Sequence, residues 1–180
     1  MDESGIMDGP PVDLQQMLQA RDARVERQRS LLEDNPHSSL LHVGLRIAGP
    51  VKTGRALEEV FDQAVNRLHQ LLEAGLLDQD VLHLPTGPEA FLVSLMPARE
   101  LKEDMLDFEG YRPFCTLMDL DVLTLENGRL VKISREDLGR VPRPCLICER
   151  PAKECARSRR HRPEEIRSVV ETLAGSGWEY

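Results

Sequence analysis

Residues 118–133 commit the chain to a β-hairpin. Met118-Asp119-Leu120-Asp121-Val122-Leu123 sets acidic side chains against apolar ones with period two, the pattern of a strand with one face on a core. Successive side chains of a strand point to opposite faces. Asp119 and Asp121 therefore project together, while Leu120 and Val122 turn inward. Asn127-Gly128 follows, a pair whose tolerance of positive φ marks tight hairpin turns, and residues 129–133 supply the returning strand.

The rest of the chain alternates between helical and extended patterns without a regular strand–helix–strand repeat. Residues 12–34 read as a first helix, with Leu14, Leu18, Val25 and Leu32 expected on its buried side and Arg21 and Gln28 interrupting that stripe. Residues 40–48 read as a strand, Leu41, Val43, Leu45 and Ile47 opposing His42, Gly44 and Arg46. Gly49-Pro50 breaks it. Thr53 is the expected cap of a second helix reaching residue 74, stopped by Gly75. Residues 80–84 and 90–96 form short strands around the Thr86-Gly87-Pro88 turn, and Pro97 opens a helix to residue 108. Pro142, Pro144 and the cysteines mark an irregular segment, and Pro163 opens a closing helix. The order predicts an α+β fold: a single domain over residues 12–180, a mixed sheet of hairpin-linked strands packed by helices, and a Cys/His-rich C-terminal loop. Residues 1–11, acidic and rich in Gly and Pro, are expected to be a flexible lead without the features of a secretory signal.

At 180 residues such a domain buries a real core without disulfides. No apolar run is long enough for a bilayer, so a cytoplasmic protein with no membrane partner is expected. A net charge of −8 and 4% aromatic residues argue against a nucleic-acid partner. The basic stretch from Arg150 to Arg162, with Glu154 its one acid, is either a docking surface for an anionic partner or a solvated loop.

Two groups of residues carry chemistry. Side-by-side carboxylates at Asp119 and Asp121 repel unless a cation sits between them. Mg²⁺ (or Mn²⁺) suits two carboxylates and a phosphate chain, as in many nucleotidyltransferases. Outward-facing acids on a half-buried strand are the plainer explanation. Cys145, Cys148, Cys155 and His161 have the spacing Cys-x2-Cys-x6-Cys-x5-His, which suits a structural tetrahedral Zn²⁺. Buried or reactive thiols are the alternative. Cys115 reads as a small core residue.

Taken together, several segments resemble the citrate lyase holo-[acyl-carrier protein] synthase family, the apo-citrate lyase phosphoribosyl-dephospho-CoA transferases. They are residues 18–28 (Leu-Gln-Ala-Arg-Asp-Ala-Arg-Val-Glu-Arg-Gln), Ala48-Gly49-Pro50-Val51-Lys52, Thr86-Gly87-Pro88-Glu89, Ala98-Arg99-Glu100-Leu101-Lys102, residues 118–123, and Pro142-Arg143-Pro144-Cys145-Leu146-Ile147-Cys148 through Cys155 to His161. The resemblance implies a nucleotidyltransferase-type enzyme of citrate lyase maturation. Its donor would be triphosphoribosyl-dephospho-CoA, its acceptor a serine of the citrate lyase acyl-carrier subunit, and its leaving group pyrophosphate. Asp119 and Asp121 would be catalytic and metal-binding, with Arg21, Arg24, Lys52 and Arg135 at phosphates. Where the family has Gly-Arg ahead of the aspartate strand, this chain has Cys115-Thr116; either another cation supplies the missing charge, with Arg112 and Arg135 the candidates, or this member handles a different donor or is weakened. The competing readings are the same transfer onto another carrier protein, and a non-catalytic zinc-knuckle interaction module.

Overall fold

The computed structural model describes residues 5–178. Five antiparallel strands form one sheet in the order β2-β3-β1-β4-β5: β1 (Ser39–Leu45), β2 (Leu76–Leu84), β3 (Gly87–Ser94), β4 (Met118–Glu126) and β5 (Arg129–Ile133). The α+β reading with hairpin-linked strands holds, with β2–β3 and β4–β5 the hairpins. Every pairing is antiparallel rather than mixed. Sequence order does not predict this, because β1 enters between the two hairpins and pairs antiparallel with both β3 and β4.

Helices α2 (Arg55–Leu72), α3 (Ala98–Phe108) and α5 (Pro163–Gly175) contribute to the main core. Leu57, Phe61, Leu68, Leu101, Met105 and Val170 meet Leu41, Val43, Leu92, Leu120 and Val122 of the sheet. Burial of this apolar area drives folding, at roughly 25 cal/mol per Å². The second face is crossed by α1 (Leu14–Asp34), whose Leu32 joins Leu40, Phe91, Val93 and Leu123 in a smaller cluster.

The orientation of α1 differs from the expected one. Leu14, Leu18 and Val25 lie outward, 74%, 51% and 38% exposed, whereas Gln28 and Leu32 are buried. Charge pairing explains the rotation. The sheet face beneath carries Glu89 and Asp80, which pair with Arg24 and Arg27, and the Arg27 guanidinium also lies over the Phe91 ring. A helix turned by its apolar stripe would leave those acids without their cations. The helix start is fixed by a reciprocal cap: Gln16 N–H donates to the Asp13 carboxylate, and Asp13 N–H to the Gln16 side chain.

Three further expectations shift. Gly54, not Thr53, caps α2, and the Thr53 hydroxyl instead donates to the Glu58 carboxylate. Strand β2 begins at Leu76 rather than residue 80, because an exposed edge strand needs no alternating pattern. A short helix α4 (Ala152–Ser158) lies inside the segment read as irregular. Residues 1–4 of the expected lead fall outside the described residues. From there the chain lies against the start of α2, with Met7 buried and Gly9 N–H donating to the Thr53 carbonyl.

Candidate functional site

The site is assembled on the sheet face that α1 only partly covers. In β4, Asp119 and Asp121 project to that face while Met118, Leu120 and Val122 are buried on the other. Across the pairing, His42 stands opposite Asp121 and Gly44 opposite Asp119. A Cβ at Gly44 would touch only the His42 ring, at 3.5 Å, so the missing side chain leaves open space beside Asp119.

That space is a cavity of about 380 Å³, lined by Asp119, Arg24, His42, Arg46, Lys52 and Glu89 among others. Segments far apart in sequence meet there: Arg24 of α1, His42 and Gly44 of β1, Ala48 and Lys52, the Thr86–Glu89 turn, and Asp119 of β4. Lys52 Nζ donates to the Ile47 carbonyl at 2.5 Å, and burial lowers its pKa. Glu89 is held below the usual carboxylate range: its burial pushes upward, but His42 and Arg24 outweigh it. His42 is buried with neither ring nitrogen hydrogen-bonded, and its Nε2 lies 3.5 Å from the Glu89 carboxylate.

A second cavity of about 330 Å³ lies on the other side of Asp119 and includes Asp121. Its wall is dense in cations: Lys102, Lys132, Arg135, Arg143 and Lys153. Lys132 Nζ is 2.5 Å from Asp121 and Arg143 Nη1 is 3.4 Å from Asp119. Lys102 is buried on α3, donates to the Leu120 carbonyl at 2.7 Å, and has its pKa lowered by burial. Glu109 pairs with Arg135 and lies 3.9 Å from Arg143.

Downstream of β5, Cys145, Cys148, Cys155 and His161 bring one ligand atom each within 4.8 Å of one another. Cys148 Sγ is 3.5 Å from Cys155 Sγ and 3.4 Å from His161 Nε2. Ile147 N–H donates to Cys145 Sγ at 3.5 Å. Burial pushes the Cys145 thiol up, but the N–H groups of Ile147 and Cys148 and the neighbouring thiols bring it below its usual value. Thiolate and imidazole in this arrangement could hold a metal ion such as zinc. The knuckle is tied to β4 through Arg143, whose carbonyl accepts from Ala152 N–H while its side chain reaches Asp119. Cys115 is in the core, its thiol pushed up to about 11 by burial.

The expected residues are thus unequally placed. Asp119, Asp121, Arg24, Lys52 and Arg135 line one or the other cavity. Arg21 does not: the stripe that made it look inward faces solvent, and Arg21 is exposed with it. A third guanidinium, beside the two expected, reaches Thr116. Arg112 lies over the Tyr111 ring and Arg135 is engaged by Glu109. The guanidinium at that position is Arg143, donating to the Thr116 carbonyl at 3.1 Å. Sequence reasoning also passed over His42, Arg46, Glu89 and Lys102. The signal for the first two was present in the polar alternation His42-Gly44-Arg46, once β1 is known to pair with β4.

Comparison with known proteins gives the family. The family described as apo-citrate lyase phosphoribosyl-dephospho-CoA transferase matches residues 12–176. The chain is 41% identical over 169 residues to a probable apo-citrate lyase phosphoribosyl-dephospho-CoA transferase of Streptococcus pyogenes serotype M18, covering 93% of this chain and 88% of that protein. It is 33% identical over 165 residues to the apo-citrate lyase phosphoribosyl-dephospho-CoA transferase of Escherichia coli O1:K1 / APEC, covering 90% and 88%. Protein CitXG of Haemophilus influenzae is 34% identical over 170 residues, which span 93% of this chain and 36% of that longer protein. No helix among the described residues is long and apolar enough to cross a membrane. A match across nearly the whole chain, on a frame that gathers its motifs around Asp119, places this protein in the apo-citrate lyase phosphoribosyl-dephospho-CoA transferase family.

Proposed function

We propose that this protein is a cytoplasmic, nucleotidyltransferase-type enzyme that transfers phosphoribosyl-dephospho-CoA from its triphosphate precursor to a serine of the citrate lyase acyl-carrier subunit. Pyrophosphate leaves. The observation that carries the reading is the common face of Asp119 and Asp121 beside cavities walled by lysine and arginine.

Two carboxylates on one face of a strand, with Asp119 half-exposed at the boundary of both cavities, are a fitting donor set for Mg²⁺ or Mn²⁺. When bound, such an ion neutralises charge on the phosphate chain and the departing pyrophosphate. Lys52 and Arg46 face the same space and would hold phosphate oxygens. Arg24 is already committed to Glu89, so its part is to fix the cavity wall. Arg135, paired with Glu109, and Lys132, paired with Asp121, offer cations on the opposite side. In the transfer, the serine hydroxyl gives up its proton to solvent as its oxygen forms a bond to the phosphorus that carries the ribosyl group. The bond from that phosphorus to the pyrophosphate oxygen breaks. Catalysis of this kind is largely positioning and charge neutralisation.

The Cys145, Cys148, Cys155 and His161 group would hold a structural Zn²⁺ closed by four protein ligands, leaving no open position for chemistry. The reading of the chain as a zinc-knuckle interaction module alone gives Asp119 and Asp121 no task. Pyrophosphate release separates the two. With donor, Mg²⁺ and apo-carrier present, pyrophosphate should appear in step with carrier consumed. An interaction module would release none, and an enzyme for another carrier would release it only with that carrier.

A further inference from the structure

A third cavity, of about 680 Å³, lies between the Cys/His knuckle and the start of α5. Leu146, Ile147, Ala156 and Ile166 give it apolar walls, and Arg159, Arg160 and Arg162 stand at its rim. Unlike the two cavities beside Asp119, it has no carboxylate on its wall. On a chain of net charge −8 that exclusion is selective for anions.

Arg46 joins this cavity to the one at Asp119, lining both. Its backbone N–H is anchored on the Leu117 carbonyl, yet its guanidinium has no hydrogen bond or ion pair among the described residues. Burial lowers its pKa to about 10, with Arg143 adding repulsion that Asp119, Glu109 and Cys145 only partly offset. A half-buried cation with no direct hydrogen-bond partner is costly, and an anion passing from one cavity to the other would relieve that cost. Among the described residues, the guanidinium groups of Arg159, Arg160 and Arg162 form no salt bridge, the Arg162 backbone N–H alone donating to Glu165.

We infer that this cavity holds the adenosine-diphosphate portion of a dephospho-CoA body, with the purine on the apolar wall, the diphosphate toward the rim arginines, and Arg46 bridging to the phosphates at Asp119. The inference rests on the donor named in the proposed function. That donor has two anionic parts, and about 380 Å³ at Asp119 is at the low end for drug-sized ligands, which fill roughly 300–1,000 Å³. A donor with two separate anionic parts calls for space beyond it, and of the adjoining cavities this one has the apolar wall and arginine rim that suit a nucleotide.

Calorimetric titration with dephospho-CoA, and separately with inorganic tripolyphosphate, tests this on the intact protein. Ala156 is exposed on α4, so Ala156→Trp fills the cavity without disturbing the core. It should weaken dephospho-CoA at least tenfold and leave tripolyphosphate unchanged. Arg46→Gln should weaken both. The paired reversal Arg159→Glu with Arg160→Glu, both at exposed positions, should weaken dephospho-CoA and make its binding less sensitive to salt. Wild-type affinity for dephospho-CoA in Ala156→Trp and in the double reversal would overturn the assignment, as would no binding to the wild-type protein. If dephospho-CoA binds as predicted but no carrier is modified, the proposed reaction falls and the cavity assignment stands. If the carrier is modified and these variants bind normally, the reverse holds.

Discussion

Arg143 holds Asp119 to the Cys/His knuckle. Its Nη1 lies 3.4 Å from the Asp119 carboxylate, its Nη2 donates to the carbonyls of Thr116 and Met118, and its own carbonyl accepts from Ala152 at the head of α4. One residue thus ties the strand of Asp119 and Asp121 to the segment that carries the thiols. Arg143→Ala leaves two carbonyls and a carboxylate without their donor. It should cost about 2 kcal/mol and reduce transfer to the carrier. Arg143→Lys should recover little of either, because a point charge cannot span the fork. Denaturant unfolding and initial transfer rates check both statements.

Replacing either aspartate with asparagine should lower transfer by about a hundredfold or more while leaving the fold intact. The carboxylates are on the solvent side of β4, with Asp119 exposed and Asp121 half-buried, so the loss should be in chemistry and not in melting temperature. Rates across a Mg²⁺ titration, beside circular dichroism, separate the two.

The turned-out face of α1 makes a sharp contrast in stability. Leu18→Ala should change stability by less than about 0.5 kcal/mol, whereas Leu32→Ala, in the buried cluster with Leu40 and Phe91, should cost about 2–5 kcal/mol. Equal losses at the two positions would restore the orientation the apolar stripe implied.

That contrast also marks how far the sequence can be read. The β4–β5 hairpin, the shared face of Asp119 and Asp121 and the Cys/His spacing follow from local chemistry: a period of two, an Asn-Gly turn and a tight thiol knuckle. The rotation of α1 does not, because its deciding contacts, Arg24 to Glu89 and Arg27 to Asp80, join residues 65 and 53 positions apart. His42 and Arg46 are missed for the same reason. Their nearness to Asp119 exists only once β1 is inserted beside β4. The reach of Arg143 back to Thr116 spans 27 residues, which no local pattern encodes.

Glu89 gives an acid-side signature. Its pKa is depressed from an ordinary 4.5, burial being outweighed by His42 and Arg24. Its stabilising contribution is therefore full above the ordinary value and is lost as pH falls through the lowered one. Wild type should exceed Glu89→Gln in melting temperature by a constant margin from neutrality to about pH 5, and the margin should shrink below about pH 4. A margin that stays flat to pH 3 contradicts the assignment.

Removing metal should loosen the knuckle. Purified protein should carry about one equivalent of zinc, and chelation or Cys148→Ser should lower the melting temperature. Because Arg143 bridges the knuckle to Asp119, transfer should fall as well. Metal analysis and thermal scans before and after chelation measure this.

Intact-mass spectrometry of apo-carrier subunit, incubated with this protein, triphosphoribosyl-dephospho-CoA and Mg²⁺, probes the whole account at once. The carrier should gain the mass of one phosphoribosyl-dephospho-CoA group on serine with the wild-type protein, and none with Asp119→Asn or Asp121→Asn. An unmodified carrier with wild type, or full modification by the well-folded aspartate variants, would contradict it.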